Sequence, residues 1–181
     1  MSQVIVAKRY ADALFQLAED KNLTNEFVKE LNVVETVFKQ NEKFASLLAS
    51  PNATNADKLA LIDTAFNSVH VYIKNELKIM VERRRSDVIL PMINEFTNLY
   101  NEKNDIAHAV VSSVRELSSD EISNVETTFK QLLNKQSLII ENKVDKSLLG
   151  GLRIRIGNTI YDGSLSNKLK RIEQNLLTAN K

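Results

Sequence analysis

The 181-residue chain has no cysteine, no tryptophan and only two histidines, His70 and His108. Without thiols it can build neither a disulfide framework nor a thiolate metal site, and two histidines cannot supply a multi-histidine one. The stretch from Met1 to Arg9 lacks the apolar core of a secretory signal. No run approaches the roughly 18 apolar residues that a bilayer-crossing helix requires. Any membrane association is therefore expected to pass through a partner. An excess of one charge is missing too: 24 Lys and Arg stand against 23 Asp and Glu, a formal net charge of +1, so no global field recruits a polyanion.

Glycine and proline are scarce and unevenly placed. All four glycines, Gly150, Gly151, Gly157 and Gly163, fall in one late stretch, and the prolines are Pro51 and Pro91 alone. Because these residues punctuate regular structure, the distribution predicts helices joined by short polar turns first and a tight-turned segment late. With 43% hydrophobic and 26% charged residues, the composition is that of a folded globular chain rather than a disordered one.

What is present up to about Asn104 is helical periodicity. Ala7, Ala11, Leu14, Phe15 and Ala18 share one face of a first helix that runs to about Asn22. Thr24 is expected to cap a second, carrying Phe27, Leu31, Val34 and Phe38. A short third holds Phe44, Leu47 and Leu48 and ends at Pro51. Thr54 caps a fourth with Leu59, Ile62, Ala65 and Phe66, and Ile73, Leu77 and Met80 mark a fifth. The sixth aligns Ile89, Met92, Ile93, Phe96, Leu99 and Tyr100, with Pro91 tolerable only in its first turn. Helices this short are weak alone in water, so a compact six-helix bundle over residues 1–105 is predicted.

From Ile106 the period changes to two. Ile106 to Val114 reads as a strand with apolar residues on both faces. Ser118 and Glu121 have capping-box spacing ahead of a helix with Ile122, Val125, Phe129, Leu132 and Leu133. A second strand spans Leu138 to Val144. Leu152, Ile154 and Ile156 alternate with Arg153 and Arg155 before a Gly157-Asn158 turn and Thr159 to Tyr161, which predicts a hairpin with one basic face. A last amphipathic helix carries Leu165, Leu169, Ile172, Leu176 and Leu177. Residues 106–181 therefore read as a small α+β domain behind a mainly α chain.

Catalytic machinery is hard to assemble from this inventory. No phosphate loop is present, and the glycines miss the G-x-G-x-x-G spacing, so nucleotide binding is not expected. Asp12, Glu19 and Asp20 spread around a helix whose opposite face is apolar, as solvated residues do. His108 and His70 have no matched nucleophile. Arg83, Arg84 and Arg85 could hold a phosphate, but at a helix C-terminus three cations also complement the dipole and cap carbonyls. The twin glycines Gly150-Gly151 are better read as a steric accommodation than as an anion cradle.

Two stretches carry a resemblance. Arg9-Tyr10-Ala11-Asp12-Ala13-Leu14-Phe15-Gln16-Leu17-Ala18 resembles R-Y-A-x-A-L-F-x-x-A. Asp145-Lys146-Ser147-Leu148-Leu149-Gly150-Gly151, then Arg155-Ile156-Gly157 and Tyr161-Asp162-Gly163-Ser164, resemble D-x-S-L-x-G-G, R-I-G and x-D-G-S in order and spacing. Between them, Glu82 to Pro91 resembles an arginine-bearing turn before a proline-started helix. Together they are similar, over the full length, to the delta subunits of bacterial F-type ATP synthases and the mitochondrial oligomycin sensitivity conferring protein.

The resemblance implies a non-catalytic stator subunit without cofactor or metal, peripheral at the cytoplasmic face of the bacterial cell membrane. Its helical domain would bind N-terminal segments of the alpha subunits of the catalytic head, and its C-terminal domain the b subunits of the peripheral stalk. A groove between the first and fifth helices would offer Tyr10, Ala13, Leu14 and Leu17 opposite Ile73, Leu77, Ile79 and Met80 to an amphipathic helix. The stalk would meet Arg153 and Arg155 of the hairpin and Leu165, Leu169, Ile172 and Leu176 of the last helix.

Overall fold

Helices of a few turns hold together in water only by burying their apolar stripes on one another. The computed structural model describes residues 3–179, with side chains as far as Ile172. The chain divides into two compact units, Met1–Asn101 and Glu102–Lys181. Six α-helices lead: α1 Gln3–Asp20, α2 Thr24–Gln40, α3 Glu42–Ala49, α4 Asn55–Ala65, α5 Val71–Glu82 and α6 Ile89–Lys103, the last preceded by a 3-10 turn at Ser86–Val88. Their buried residues form one apolar core.

Within that core α1 contributes Ala7, Ala11 and Ala18, all fully buried, whose small side chains let neighbouring helices come close. Phe15 meets Phe96 of α6 edge-on with ring centres 5.3 Å apart. Phe38 of α2, Phe44 of α3 and Phe66 after α4 form an aromatic cluster with centres 5.2 to 6.3 Å apart. Such pairs add about 0.5–1.5 kcal/mol each beyond the area they bury.

The helix ends explain how the chain turns without glycine. Asn22 and Arg84 take left-handed φ values of 57° and 56°. The following amides bond back to the last turn, Leu23 N–H to the Ala18 carbonyl and Arg85 N–H to the Met80 carbonyl, both at 2.8 Å. The Thr54 hydroxyl caps α4 by accepting from the Asp57 amide at 3.2 Å. Thr24 differs from expectation: it is the first helical residue, Leu23 occupies the cap position, and no side chain caps α2. The backbone reversal at Asn22 places the boundary one residue earlier. Pro91 is the third residue of α6, where its missing N–H costs no intrahelical bond.

The second unit contains β1 Ile106–Ser113, α7 Ser119–Leu133, β2 Ser137–Val144, β3 Leu152–Ile156, β4 Thr159–Asp162 and α8 Leu165–Ala179. The sheet order is β2-β1-β3-β4. β1 runs parallel to β2 and antiparallel to β3, and β3 and β4 pair antiparallel around Gly157-Asn158. A crossover through α7 is what a parallel β1–β2 pair demands. Ala107, Ala109 and Val111 of β1, with Leu138 and Ile154, pack with Val125 of α7, and Phe129 and Tyr161 meet edge-on at 5.2 Å.

Here a second expectation changes. Only the odd-numbered face of β1 is buried, while His108 is exposed and Val110 and Ser112 are partly so. The reason is that the packed core lies on one side of the sheet, so apolar composition on both strand faces does not translate into burial of both.

Phe27 is fully buried in the N-terminal core. Phe27→Ala should destabilise that unit by about 3–5 kcal/mol, measured as a lowered urea midpoint of the helical circular dichroism signal.

Candidate docking surfaces

Neighbours on both flanks fix the orientation of α5. Ile73, Leu77 and Met80 are fully buried and Val81 nearly so. α5 lies against α4 and α1. Lys78 Nζ reaches Asp63 of α4 at 2.7 Å, so the opposite flank, which by helical spacing holds Tyr72, Glu76, Ile79 and Arg83, turns toward α1. On α1, Phe15 marks the side that meets α6. The other flank carries Tyr10, Ala13 and Leu17. Arg85, just past α5, donates from Nη1 to the Tyr10 hydroxyl at 3.3 Å, with its guanidinium 6.0 Å from the ring centre.

The expected groove residues therefore separate into two groups. Leu14, Ile73, Leu77 and Met80 are at most 2% exposed and belong to the core, because they sit at the middle of their stripes. Tyr10 and Leu17 are half-buried, Ala13 is exposed, and Ile79 keeps 40% of its surface. These four keep exposed surface at the margins of the α1 and α5 stripes.

Glu76 interrupts no apolar stripe, so the sequence alone does not single it out. It lies between the buried and exposed faces of α5, and its Oε1 is buried with no hydrogen-bond partner. Burial pushes its carboxyl up from the ordinary 4.5 to about 7, against a smaller opposing pull from Arg83. The arginine run itself is a helix terminus: Arg83, Arg84 and Arg85 amides return to the Ile79, Val81 and Met80 carbonyls.

In the second unit the glycine-rich signature is a clasp. The Ser147 amide and hydroxyl both donate to Asp145 Oδ1, at 2.9 and 2.6 Å. The Ser164 amide donates to Asp162 Oδ1 at 3.0 Å, and Arg153 Nε to Asp162 Oδ2 at 3.1 Å. Hydrogen bonds from Ser147 and Ser164 hold the two aspartates below their ordinary range. Gly163 N–H bonds the Leu152 carbonyl and Leu165 N–H the Gly150 carbonyl, tying the hairpin to the start of α8. Gly151 has φ +78°, and a Cβ there would stand 2.5 Å from the Gly163 carbonyl oxygen. Steric necessity thus accounts for this glycine.

The hairpin's basic face is half committed. Arg153 is paired with Asp162, whereas Arg155 is exposed and lines a shallow depression on the outer sheet face with Val110, Ser112, Lys143 and Ile160. On α8, Leu165, Leu169 and Ile172 are 46%, 58% and 55% exposed, an uncovered stripe at helical spacing. Leu176 lies outside the residues whose side chains are described. A cavity of about 630 Å³ beside α7 is walled by Val114, Leu117, Val125, Leu149 and Leu152. Its charged groups are engaged: Arg115 Nη2 meets Glu121 Oε1 at 2.8 Å, and Glu121 Oε2 accepts the Ser118 amide in a complete capping box. The Arg115 bonds, foremost, draw the Glu121 carboxyl down to about 2.

Among the described residues no group of three or more His, Asp or Glu is placed to hold a metal ion, and no helix is long and apolar enough to cross a membrane. The family model for the ATP synthase delta (OSCP) subunit matches residues 6–176. The chain belongs to this family. It is 42% identical over 177 residues to ATP synthase subunit delta of Bacillus cytotoxicus, covering 98% of each chain. It is 41% identical over 181 residues, all of both chains, to the subunit of the same description in Oceanobacillus iheyensis. Its fold resembles a chain in the cryo-EM structure of the Toxoplasma gondii mitochondrial ATP synthase hexamer, with TM-score 0.77, 20% identity and coverage of 94% of this chain and 97% of that one.

Two outcomes follow from the geometry of this delta-family chain. Glu76 has a native pKa above its unfolded one, so the unfolded chain gives up its proton first as pH rises. The stability that protonated Glu76 contributes is complete below about pH 4.5 and is lost as pH climbs to about 7. Glu76→Gln should therefore raise the melting temperature at pH 8, with the difference closing near pH 4. Separately, Gly151→Ala should cost on the order of 1–3 kcal/mol from backbone strain alone, seen as earlier loss of amide-exchange protection in β3 and β4 than in α1 to α6.

Proposed function

We propose that this chain is a non-catalytic stator subunit of an F-type ATP synthase, connecting the alpha/beta catalytic head to the b-subunit peripheral stalk and attached to the membrane only through the complex. Family membership across nearly the whole length is the observation that carries the reading. The two units divide the work: residues 1–105, as a six-helix bundle, hold N-terminal segments of alpha subunits, and residues 106–181 meet the b subunits. The connector makes and breaks no covalent bond. It resists sideways force while a rotor turns, and that requires slow dissociation; nanomolar affinity corresponds to about 12 kcal/mol.

The trough between α1 and α5 supports the alpha assignment because its apolar walls, Tyr10, Ala13, Leu17 and Ile79, keep exposed surface beside a filled core. An amphipathic helix laid there buries those walls at little cost to the unit's own packing. For the stalk, the uncovered Leu165, Leu169 and Ile172 stripe offers apolar area, and Arg155 offers a cation to acidic partners.

Ile79→Asp in the full chain should weaken binding of an alpha N-terminal peptide by about tenfold or more in calorimetry while helical dichroism stays unchanged. Unaltered affinity would remove the trough from consideration. Leu169→Asp combined with Ile172→Asp should abolish co-precipitation of the soluble b stalk, and retained stalk binding would refute the α8 assignment.

A further inference from the structure

Glu76 is the one described residue with a buried side-chain oxygen that finds no hydrogen-bond partner. No bond to its other oxygen is made among the described residues either, and Oε2 is not fully buried. Arg83, one helical repeat further along the same flank of α5, lowers its pKa through space but forms no ion pair with it. By helical spacing this flank turns toward α1, whose Tyr10, Ala13 and Leu17 belong to the proposed trough. Among the described residues this carboxyl group therefore has no hydrogen-bond or ion-pair partner, and Arg83 acts on it only through space.

We infer that the α1–α5 trough selects a helix bearing a lysine or arginine, placed to meet the open oxygen of Glu76. The inference rests on the docking reading given above and adds the chemistry of the occupant. An apolar helix face laid over Glu76 would strip the carboxylate of its remaining water and force it either to take up a proton or to stay charged without a partner, so above about pH 7 either outcome weakens binding. Interior amides of a docked helix cannot help, since each is already bonded within its own helix. A cationic side chain at the edge of the docked apolar stripe solves both problems: its aliphatic stem covers Ile79 and Leu17 while its charged end reaches Oε2. The same pairing rejects helices with an acidic or purely apolar residue at that position, so Glu76 sets register and partner choice.

The test is a double-mutant cycle on the full-length protein. Wild type and Glu76→Gln are titrated calorimetrically with the N-terminal peptide of the source organism's alpha subunit, and with peptides in which each Lys or Arg is replaced in turn by Gln. The expected result is that Glu76→Gln weakens binding about tenfold or more, and that one peptide replacement causes a like loss on wild type but less than a twofold loss on Glu76→Gln. Equal or tighter binding by Glu76→Gln, or losses that simply add at every cationic position, overturns the inference. If that happens while Ile79→Asp still weakens the peptide, the trough stands and only the cation is wrong. Failure of the peptide to bind wild type overturns both.

Discussion

No helix of eight to eighteen residues, the lengths found in the N-terminal unit, is stable in water by itself, and burial of the helices' apolar side chains against one another is the condition on which everything else there depends. Meeting it consumes the strongest hydrophobic side chains. Leu14, Phe27, Ile73, Leu77 and Met80 have almost no surface left. What remains for other molecules is the margin of each stripe, where Tyr10, Leu17 and Ile79 are only partly covered. In the proposed reading, a partner helix docks on these margins without disturbing the core beneath them. Interiors are too tightly packed to open for a partner at modest cost.

This also explains which parts of the architecture were legible in the sequence. Stripe periodicity places the helices and separates them from the α+β segment, because the period follows from backbone geometry alone. The Thr54 cap, the Ser118–Glu121 box and the Gly157-Asn158 reversal are local chemistry and could be read from a few adjacent residues. Whether Leu14 or Leu17 faces a partner is a different kind of question, since both belong to an apolar helix face and only the position of α5 and α6 distinguishes centre from margin. The one-sided burial of β1 likewise depends on elements distant along the chain. Glu76 carried no pattern at all; its significance is the absence of a partner, which a sequence cannot display.

The late glycines illustrate a motif whose identity is informative about kinship while its chemistry is structural. Gly151 is required by the nearness of the Gly163 carbonyl, Asp145 and Asp162 accept the Ser147 and Ser164 amides, and the Ser164 hydroxyl accepts the Asn167 amide. Earlier in the chain the same left-handed conformations are met by Asn22, Arg84, Asp105 and Asn134. Asparagine and aspartate tolerate that region better than most side chains, which is how the first 149 residues turn repeatedly without a single glycine. The charged groups near the α7 cavity are similarly occupied with caps and pairs. Polar chemistry here holds structure in place, consistent with a subunit whose proposed task is mechanical.

Reconstitution tests the connector account most directly. Membranes carrying the proton-conducting sector and stalk, stripped of the catalytic head and of this subunit, are supplied with purified head, with or without the full-length chain. The account predicts proton-driven ATP synthesis only when the chain is added, with no nucleotide hydrolysis by the chain alone. Coupled synthesis restored equally well in its absence, or turnover by the isolated protein, would contradict it.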